Sequence, residues 1–120
     1  MSHELTRRLF ASIDSMDSAA LAGFFTEDAR VVFGNGEPLV GREAITAGTQ
    51  AFFSSISGLH HHIVNDWHIE ADTVVEAEVT YRRHDGKTVS VPVVSIWHAR
   101  DDGQIDDYRV FFDLAPVYAP

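Results

Sequence analysis

Apolar residues at helical spacing open the chain, and they include Leu5, Leu9, Ile13 and Met16. This repeat is typical of an amphipathic helix, which we expect from about Ser2 to Ser15. Asp17 or Ser18 can then cap a second, shorter helix. The side chains that the second helix would bury are Leu21, Phe24 and Phe25.

The pattern next changes to one short strand, a turn and a third helix. The stretch "ARVVF" predicts a strand from Ala29 to Phe33, and the glycines, asparagine and proline that follow predict a turn. Gly41 precedes a helix that we expect over roughly Arg42 to Ser55. The positions that this third helix would bury are Ile45, Phe52 and Ile56.

From Gly58 onward the pattern is that of β-strands. Two Asp-Gly pairs, at Asp85-Gly86 and Asp102-Gly103, separate β-rich runs as hairpin turns do. Helices therefore come first and a long antiparallel meander follows, which is the order of an α+β fold rather than a parallel α/β fold. The length of 120 residues fits a single domain over residues 1–120.

Charge and composition narrow the range of partners. The formal net charge of -9 argues against nucleic acid and against anionic membranes, since both attract basic surfaces. The chain has no cysteine, so disulfides and thiolate metal sites are excluded. The first residues lack the apolar stretch of a signal peptide, and no run reaches the length of a membrane span. We therefore expect a cytoplasmic protein.

Three stretches resemble a known family: "FFTEDARVVFGNGEPLVGREAI", "HARDDGQIDDYRVFFD" and the closing "DLAPV". Together with the order of elements, they resemble the nuclear transport factor 2-like superfamily, and most of all its SnoaL-like group of polyketide cyclases and their relatives. The similarity runs from about Leu5 to Val117. It implies a cone-shaped, strongly curved antiparallel sheet wrapped around three N-terminal helices, with an apolar pocket inside. This fold hosts many chemistries, so the resemblance specifies fold better than reaction.

The catalytic residues of two relatives transfer poorly to this chain. At the positions of the base, the oxyanion-hole acid and the oxyanion-hole tyrosine of ketosteroid isomerases, this chain has Phe33, Ser95 and Leu9. At the positions of the Arg-x-Asp pair and the last-strand aspartate of limonene epoxide hydrolases, it has Glu78, Thr80 and Asp113. The resemblance therefore disfavours both of these reactions.

Asp113 is the leading candidate for chemistry. SnoaL-type cyclases use an aspartate near the end of the chain as general acid/base, and the resemblance matches Asp113 to it. Alternation places Arg109, Phe111 and Asp113 on one face of the last strand. Aromatic surroundings favour the neutral form of a carboxylate, which suits proton transfer near neutral pH. The alternative is a strand-end aspartate that bonds the backbone around Ala115.

Three consecutive histidines are the second candidate feature, and alternation puts His60 and His62 on one strand face and His61 on the other. His61 is the expected acid/base partner of Asp113, because its face looks buried. The apolar residues expected on that face are Ile63, Trp67 and Ile69. Two alternatives are zinc binding by His60 and His62 with a neighbouring carboxylate, and ordinary hydrogen bonding at the surface. The resembling family mostly works without metal, so we expect no metal and no cofactor.

The stretch "VVEAEVTYR" alternates apolar and polar residues and leaves its orientation open. If the polar face looks into the cone, as the resemblance implies, Glu78 can pair with Arg82 or Arg109 or act as a second carboxylate. The apolar face would then be the outer surface through which a homodimer assembles. In the opposite orientation the apolar face covers the helices and the charges are solvated.

Ser95 and Trp97 share one face of "VPVVSIWHA", where Ser95 can donate a hydrogen bond to a ligand oxygen and Trp97 can wall a pocket. Core packing would also explain both residues. The resulting hypothesis is a homodimer that binds a small apolar molecule and uses Asp113 and His61 in a cofactor-independent cyclisation, isomerisation or hydration. The alternative is a non-catalytic ligand-binding or dimerisation module. The expected ligand-binding residues are Phe33, Glu78, Ser95, Trp97, Arg109 and Phe111.

Overall fold

The computed structural model describes residues 2–120, with side chains from residue 3 onward, so Met1 of the expected domain lies outside the described residues. The helices are α1 (Ser2–Asp14), α2 (Ser18–Ala22), α3 (Arg42–Ser54) and α4 (Ala115–Tyr118). The strands are β1 (Phe25–Phe33), β2 (Leu39–Val40), β3 (Gly58–Ile69), β4 (Asp72–Arg82), β5 (Thr88–Ala99) and β6 (Ile105–Phe111). Across this part of the chain no helix has the length and apolar character needed to cross a membrane.

The three expected helices are present, with small differences at their ends. Asp17 caps α2, because its Oδ1 atom accepts a hydrogen bond of 3.1 Å from the backbone N–H of Ala20. The first strand begins earlier than expected, at Phe25 instead of Ala29. Phe25 therefore contributes to the core from the sheet and not from the second helix.

All six strands form one sheet in the order β2-β1-β6-β5-β4-β3. Strands β3 to β6 form the expected antiparallel meander. Its Asp-Gly turns place Gly86 at a φ of 88° and Gly103 at 85°, a left-handed conformation that glycine adopts without strain. Strand β1 pairs with β6 in parallel, which the sequence pattern did not indicate. The curved, unclosed sheet and the N-terminal helices confirm the α+β cone.

The apolar face of β4 covers the helices, so the orientation that the resemblance implied for this strand is wrong. The buried residues of β4 are Thr73, Val75, Ala77, Val79 and Tyr81. On the helix side, Leu9 of α1 and Ile45 of α3 are also fully buried. Glu78 is exposed on the outer, convex face. Burying a charged strand face against apolar helices would cost far more than leaving it in water.

A β-bulge in β3 reverses the alternation partway along the strand. Ile63 lies opposite Ala77 and Asn65 lies opposite Glu76, so Val64 is an extra residue without its own partner. Because a shift of one residue exchanges the two faces, the residues after the bulge have the opposite orientation from that expected. Trp67 is accordingly 48% exposed and Ile69 is 62% exposed, and neither shares the buried face of His61.

The orientation of β4 can be tested by a matched pair of substitutions. Val79→Ala removes two buried methyl groups and should lower the free energy of unfolding by about 2 kcal/mol in urea denaturation. Glu78→Ala on the convex face should change that free energy by less than about 0.5 kcal/mol. A larger loss for Glu78→Ala than for Val79→Ala would mean that the polar face points inward.

Candidate functional site

A cavity lies between the concave face of the sheet and helices α1, α2 and α3. Its volume is about 40 Å³, which is room for a few water molecules. The apolar lining residues are Ile13, Leu21, Phe25, Val31, Phe33, Ile45, Phe52, Phe53, Leu59, Val93, Val110 and Phe112. The lining residues with polar groups are Thr49, His61, Tyr81, Ser95 and Tyr108. A mostly apolar wall with a few convergent polar groups is the usual character of a small-molecule site.

Three half-buried phenylalanines form one part of the wall that reaches solvent. The Phe33 ring centroid lies 6.3 Å from that of Phe52 and 6.5 Å from that of Phe112, and both pairs are stacked. All three side chains are partly exposed, whereas most of the remaining wall is buried. These rings therefore lie at the border between the buried core and solvent.

His61 and Asp14 form the central polar pair of this cavity. The His61 Nδ1 atom lies 2.7 Å from Oδ1 of Asp14, and the His61 backbone N–H donates to Oδ2 of Asp14 over 3.1 Å. The His61 side chain is 8% exposed and that of Asp14 is 21% exposed. The imidazole also stacks on Phe10, with ring centroids 4.4 Å apart. These contacts hold the ring in one orientation and leave Nε2 as its unengaged nitrogen among the described residues.

Two buried tyrosines supply hydroxyl groups to the same cavity. The Tyr108 hydroxyl donates to Ser95 Oγ over 3.3 Å. Burial raises the pKa of Tyr108 to about 12, although the hydrogen bond with Ser95 acts in the opposite direction. Burial also raises the pKa of Tyr81, and nearby Tyr108, Tyr118 and Asp14 add to this effect. Both hydroxyls therefore stay protonated at physiological pH and can act as hydrogen-bond donors.

Tyr81 differs from Tyr108 in its partners. Among the residues that the structure describes, none makes a hydrogen bond with the Tyr81 hydroxyl. The Tyr81 ring packs edge-on against Phe52, with ring centroids 6.1 Å apart. Tyr81 lines the cavity, so its hydroxyl can bind a molecule there.

Three of the expected site residues line the cavity, and a fourth lies next to it. His61, Ser95 and Phe33 are part of the wall. Trp97 is buried behind the wall, where its ring stacks on Tyr108 at 5.6 Å and meets Phe10 edge-on at 5.9 Å. Trp97 therefore supports the cavity without lining it, in agreement with the core-packing alternative.

Asp113 lies outside the cavity, which contradicts its expected place beside His61. Its side chain is exposed, and Oδ1 accepts a hydrogen bond of 3.0 Å from the backbone N–H of Ala115 at the turn into α4. The neighbouring Phe112 points into the cavity instead. The alternative that Asp113 bonds the backbone around Ala115 is confirmed.

Three other expected ligand-binding residues also point away from the cavity. Arg109, Phe111 and Glu78 are exposed on the convex face. Arg109 and Phe111 share one face of β6, as expected. Tyr108 and Val110 occupy the inward face, so Arg109 and Phe111 point outward. Arg109 makes its ion pair with Asp107, at 3.2 Å between Nε and Oδ2, and not with Glu78.

His60 and His62 are not among the described side chains that converge as metal ligands. Both are exposed, and His60 Nδ1 lies 3.6 Å from Oδ2 of Asp14. Within the described part of the chain, the metal-ligating side chains that converge lie elsewhere, where α1 begins and β3 ends.

Sequence reasoning missed Asp14 and the two cavity tyrosines. Asp14 is four residues after Phe10, so both lie on one side of α1, next to the apolar stripe. That spacing was a usable signal that this carboxylate borders the core. Nothing in the local pattern linked it to His61, which lies 47 positions further along the chain.

The sequence and the fold were both compared with known proteins. A family model described as a SnoaL-like domain matches residues 6–108. Among curated proteins, none matches this chain. A hypothetical protein of ketosteroid isomerase-like fold from Catenulispora acidiphila DSM 44928, in complex with trimethylamine, aligns with a TM-score of 0.85 and 19% identity over 93% of this chain and 87% of that chain.

Two further solved structures are similar. A candidate SnoaL-like polyketide cyclase from Jannaschia sp. CCS1 has a TM-score of 0.78 and 24% identity over 98% of this chain and 92% of that chain. The epoxide hydrolase/cyclase-like enzyme SalBIII, described as acting in pyran ring formation in polyether salinomycin, has a TM-score of 0.81 and 17% identity, with coverages of 94% and 91%. At these identities the structures demonstrate a shared fold, and the family model covers most of the chain. The chain therefore belongs to the SnoaL-like family and has the nuclear transport factor 2-like fold.

Proposed function

We propose that the cavity binds a small, largely apolar molecule and that His61 transfers a proton to or from it. The reaction class would be a cofactor-independent cyclisation, isomerisation or hydration. The observation that carries the proposal is the hydrogen-bonded His61–Asp14 pair in the wall of an otherwise apolar cavity. In this proposal Asp14 takes the place that the sequence pattern assigned to Asp113.

The geometry of the pair suits general base catalysis. When Nδ1–H of His61 donates to Asp14, the neutral imidazole carries its lone pair on Nε2. Once Nε2 accepts a proton, the adjacent carboxylate stabilises the imidazolium, as an orienting carboxylate does in hydrolytic triads. Stacking on Phe10 keeps the ring from rotating away during this step.

The hydroxyl groups complement this base. Removal of a proton next to a carbonyl places negative charge on the carbonyl oxygen, and fixed donors that meet this charge lower the barrier. The Tyr81 hydroxyl, which has no protein partner among the described residues, is the proposed donor. Ser95 is a second donor, because its own hydroxyl hydrogen stays available while it accepts from Tyr108. The favoured ligand is therefore an apolar molecule that contains a carbonyl group.

The size of the cavity constrains how such a ligand enters. A volume of about 40 Å³ is too small for a ring-sized molecule, so binding requires the half-buried rings of Phe33, Phe52 and Phe112 to move. The names of the similar Jannaschia protein and of SalBIII refer to cyclase chemistry, which supports the proposed class by analogy of fold.

The proposed base can be tested with a panel of cyclic and aryl ketones in D₂O. Ketones that bind the wild-type protein should exchange the hydrogens next to the carbonyl for deuterium, as followed by ¹H NMR. His61→Gln should slow this exchange by about 100-fold or more, because a positioned general base contributes on that scale. His60→Gln, at the exposed neighbouring position, should leave the rate unchanged. Binding of ketones without any catalysed exchange would favour the non-catalytic ligand-binding module.

The proposed orienting carboxylate can be tested in the same assay with a matched pair of aspartates. Asp14→Asn should lower the exchange rate on the order of tenfold or more while ketone binding is retained, because the imidazole loses its orienting charge. Asp113→Asn removes an exposed carboxylate at the turn into α4 and should retain the wild-type rate. A loss confined to Asp113→Asn would restore the hypothesis that the sequence suggested.

We further propose that the protein forms a homodimer through a patch on the convex face, defined here as the convex patch. Its residues are Trp67, Val74, Val94, Ile96 and Phe111. The strand register places Trp67 beside Val74 and Val74 beside Ile96 in one row, and Val94 beside Phe111 in the next. Trp67 is 48% exposed and Phe111 is 50% exposed, and covering such a patch is favourable.

The convex patch can be tested by analytical ultracentrifugation. Trp67→Glu should convert a wild-type dimer into a monomer, because a charge would be buried in the interface. Val40→Glu introduces the same charge at a position that is 60% exposed on β2, away from the patch, and should remain dimeric. A wild-type protein that sediments as a monomer would contradict the proposal.

A further inference from the structure

A second polar cluster lies outside the cavity, where the first turn of α1 meets the end of β3. It consists of His3, Asp66 and His68, and their ligand atoms all lie within 4.8 Å of one another. His3 Nδ1 is 2.9 Å from Oδ2 of Asp66, and His68 Nε2 is 3.2 Å from Oδ1 of the same carboxylate. The proposed role of His61 uses none of these groups.

The bulge at Val64 creates this cluster. It turns Asp66 and His68 toward α1, where their side chains are 11% and 20% exposed. His3 lies on the solvent side of the cluster, and its side chain is 71% exposed. The cluster thus has two partly buried members held by the sheet and one accessible member carried by the helix.

The His68 ring has a second contact that sets its orientation. Its Nδ1 atom lies 3.1 Å from Oγ1 of Thr73, a buried residue on the neighbouring strand. When Nδ1–H donates to Thr73, the Nε2 lone pair and an Asp66 oxygen face each other. A positive charge between these two electron-rich atoms would satisfy both. Metal-binding histidines usually have such an outer hydrogen bond on the nitrogen that does not bind the metal.

We propose that His3, Asp66 and His68 form a binding site for a divalent transition-metal ion, with Zn²⁺ as the best fit. Two imidazole nitrogens and one carboxylate oxygen are a typical zinc ligand set, whereas Ca²⁺ and Mg²⁺ prefer oxygen ligands throughout. The exposed side at His3 leaves a fourth position for water. The bound ion would replace hydrogen bonds between the ligands and tie the start of α1 to β3.

This site can be tested by titrating the EDTA-treated, dialysed full chain with Zn²⁺ and measuring the binding by calorimetry. The wild-type protein should bind one Zn²⁺, and His68→Gln and Asp66→Asn should each weaken binding at least about tenfold. His62→Gln and Asp72→Asn make the same changes at exposed positions nearby and should bind like the wild type. The His3→Ala variant changes an exposed side chain, so its expected loss of affinity does not depend on an intact core.

Two further measurements distinguish zinc bound by this cluster from zinc bound by histidines elsewhere on the chain. Co²⁺ should give visible d–d absorption in the wild-type protein that is lost in His68→Gln. Zn²⁺ should raise the Tm of the wild-type protein, because it binds the folded state, and should not raise that of His3→Ala. His61→Gln should bind Zn²⁺ normally, which keeps this result independent of the proposed reaction. Absence of Zn²⁺ binding by the wild-type protein, or equal weakening by His62→Gln, would overturn the proposal.

Discussion

The alternation of side chains across a sheet that is covered on one face decides which residues of this protein meet. Every second residue of β4 and β5 faces the helices, as do Tyr108 and Val110 of β6, and those positions are apolar or carry a hydroxyl group. The charged residues on the same strands face outward, since an unpaired charge against the helices would lose its hydration. The composition of the cavity follows directly from this constraint.

Several polar groups enter this core in pairs, although among the described residues Ser12 Oγ and Trp97 Nε1 are buried without a hydrogen-bond partner. Asp14 accepts from both the backbone and the ring of His61, and Tyr108 donates to Ser95. Such pairing offsets the cost of removing these groups from water. The Tyr81 hydroxyl lacks a partner among the described residues, and it faces the same cavity as His61. A hydroxyl that faces the cavity without a protein partner is the group that the proposed ligand would engage.

Helix α1 contacts β3 through a polar pair at each of its ends. Asp14 at its last residue meets His61 before the bulge, and His3 in its first turn meets Asp66 after the bulge. Without Val64, the residues after the bulge would exchange faces, and Asp66 and His68 would point to solvent. A single inserted residue therefore separates a cavity histidine from a surface-accessible cluster on one strand. It also brings Trp67 to the convex patch.

The sequence by itself determined the three N-terminal helices, the antiparallel meander, the α+β order and the family. Each of these predictions depends on residues that are close together in the sequence. They are the apolar spacing of α1 and α3, the two Asp-Gly turns and the quoted motifs. It also placed His61 on the inward face of its strand, although part of the reason, the expected burial of Trp67 and Ile69, was wrong because the pattern did not show the bulge. The tertiary structure alone decided which face of each strand points inward, and so excluded Asp113 and Glu78 from the cavity. It alone paired Asp14 with His61, because that contact depends on how a helix packs across a curved sheet, and residue spacing does not encode such packing.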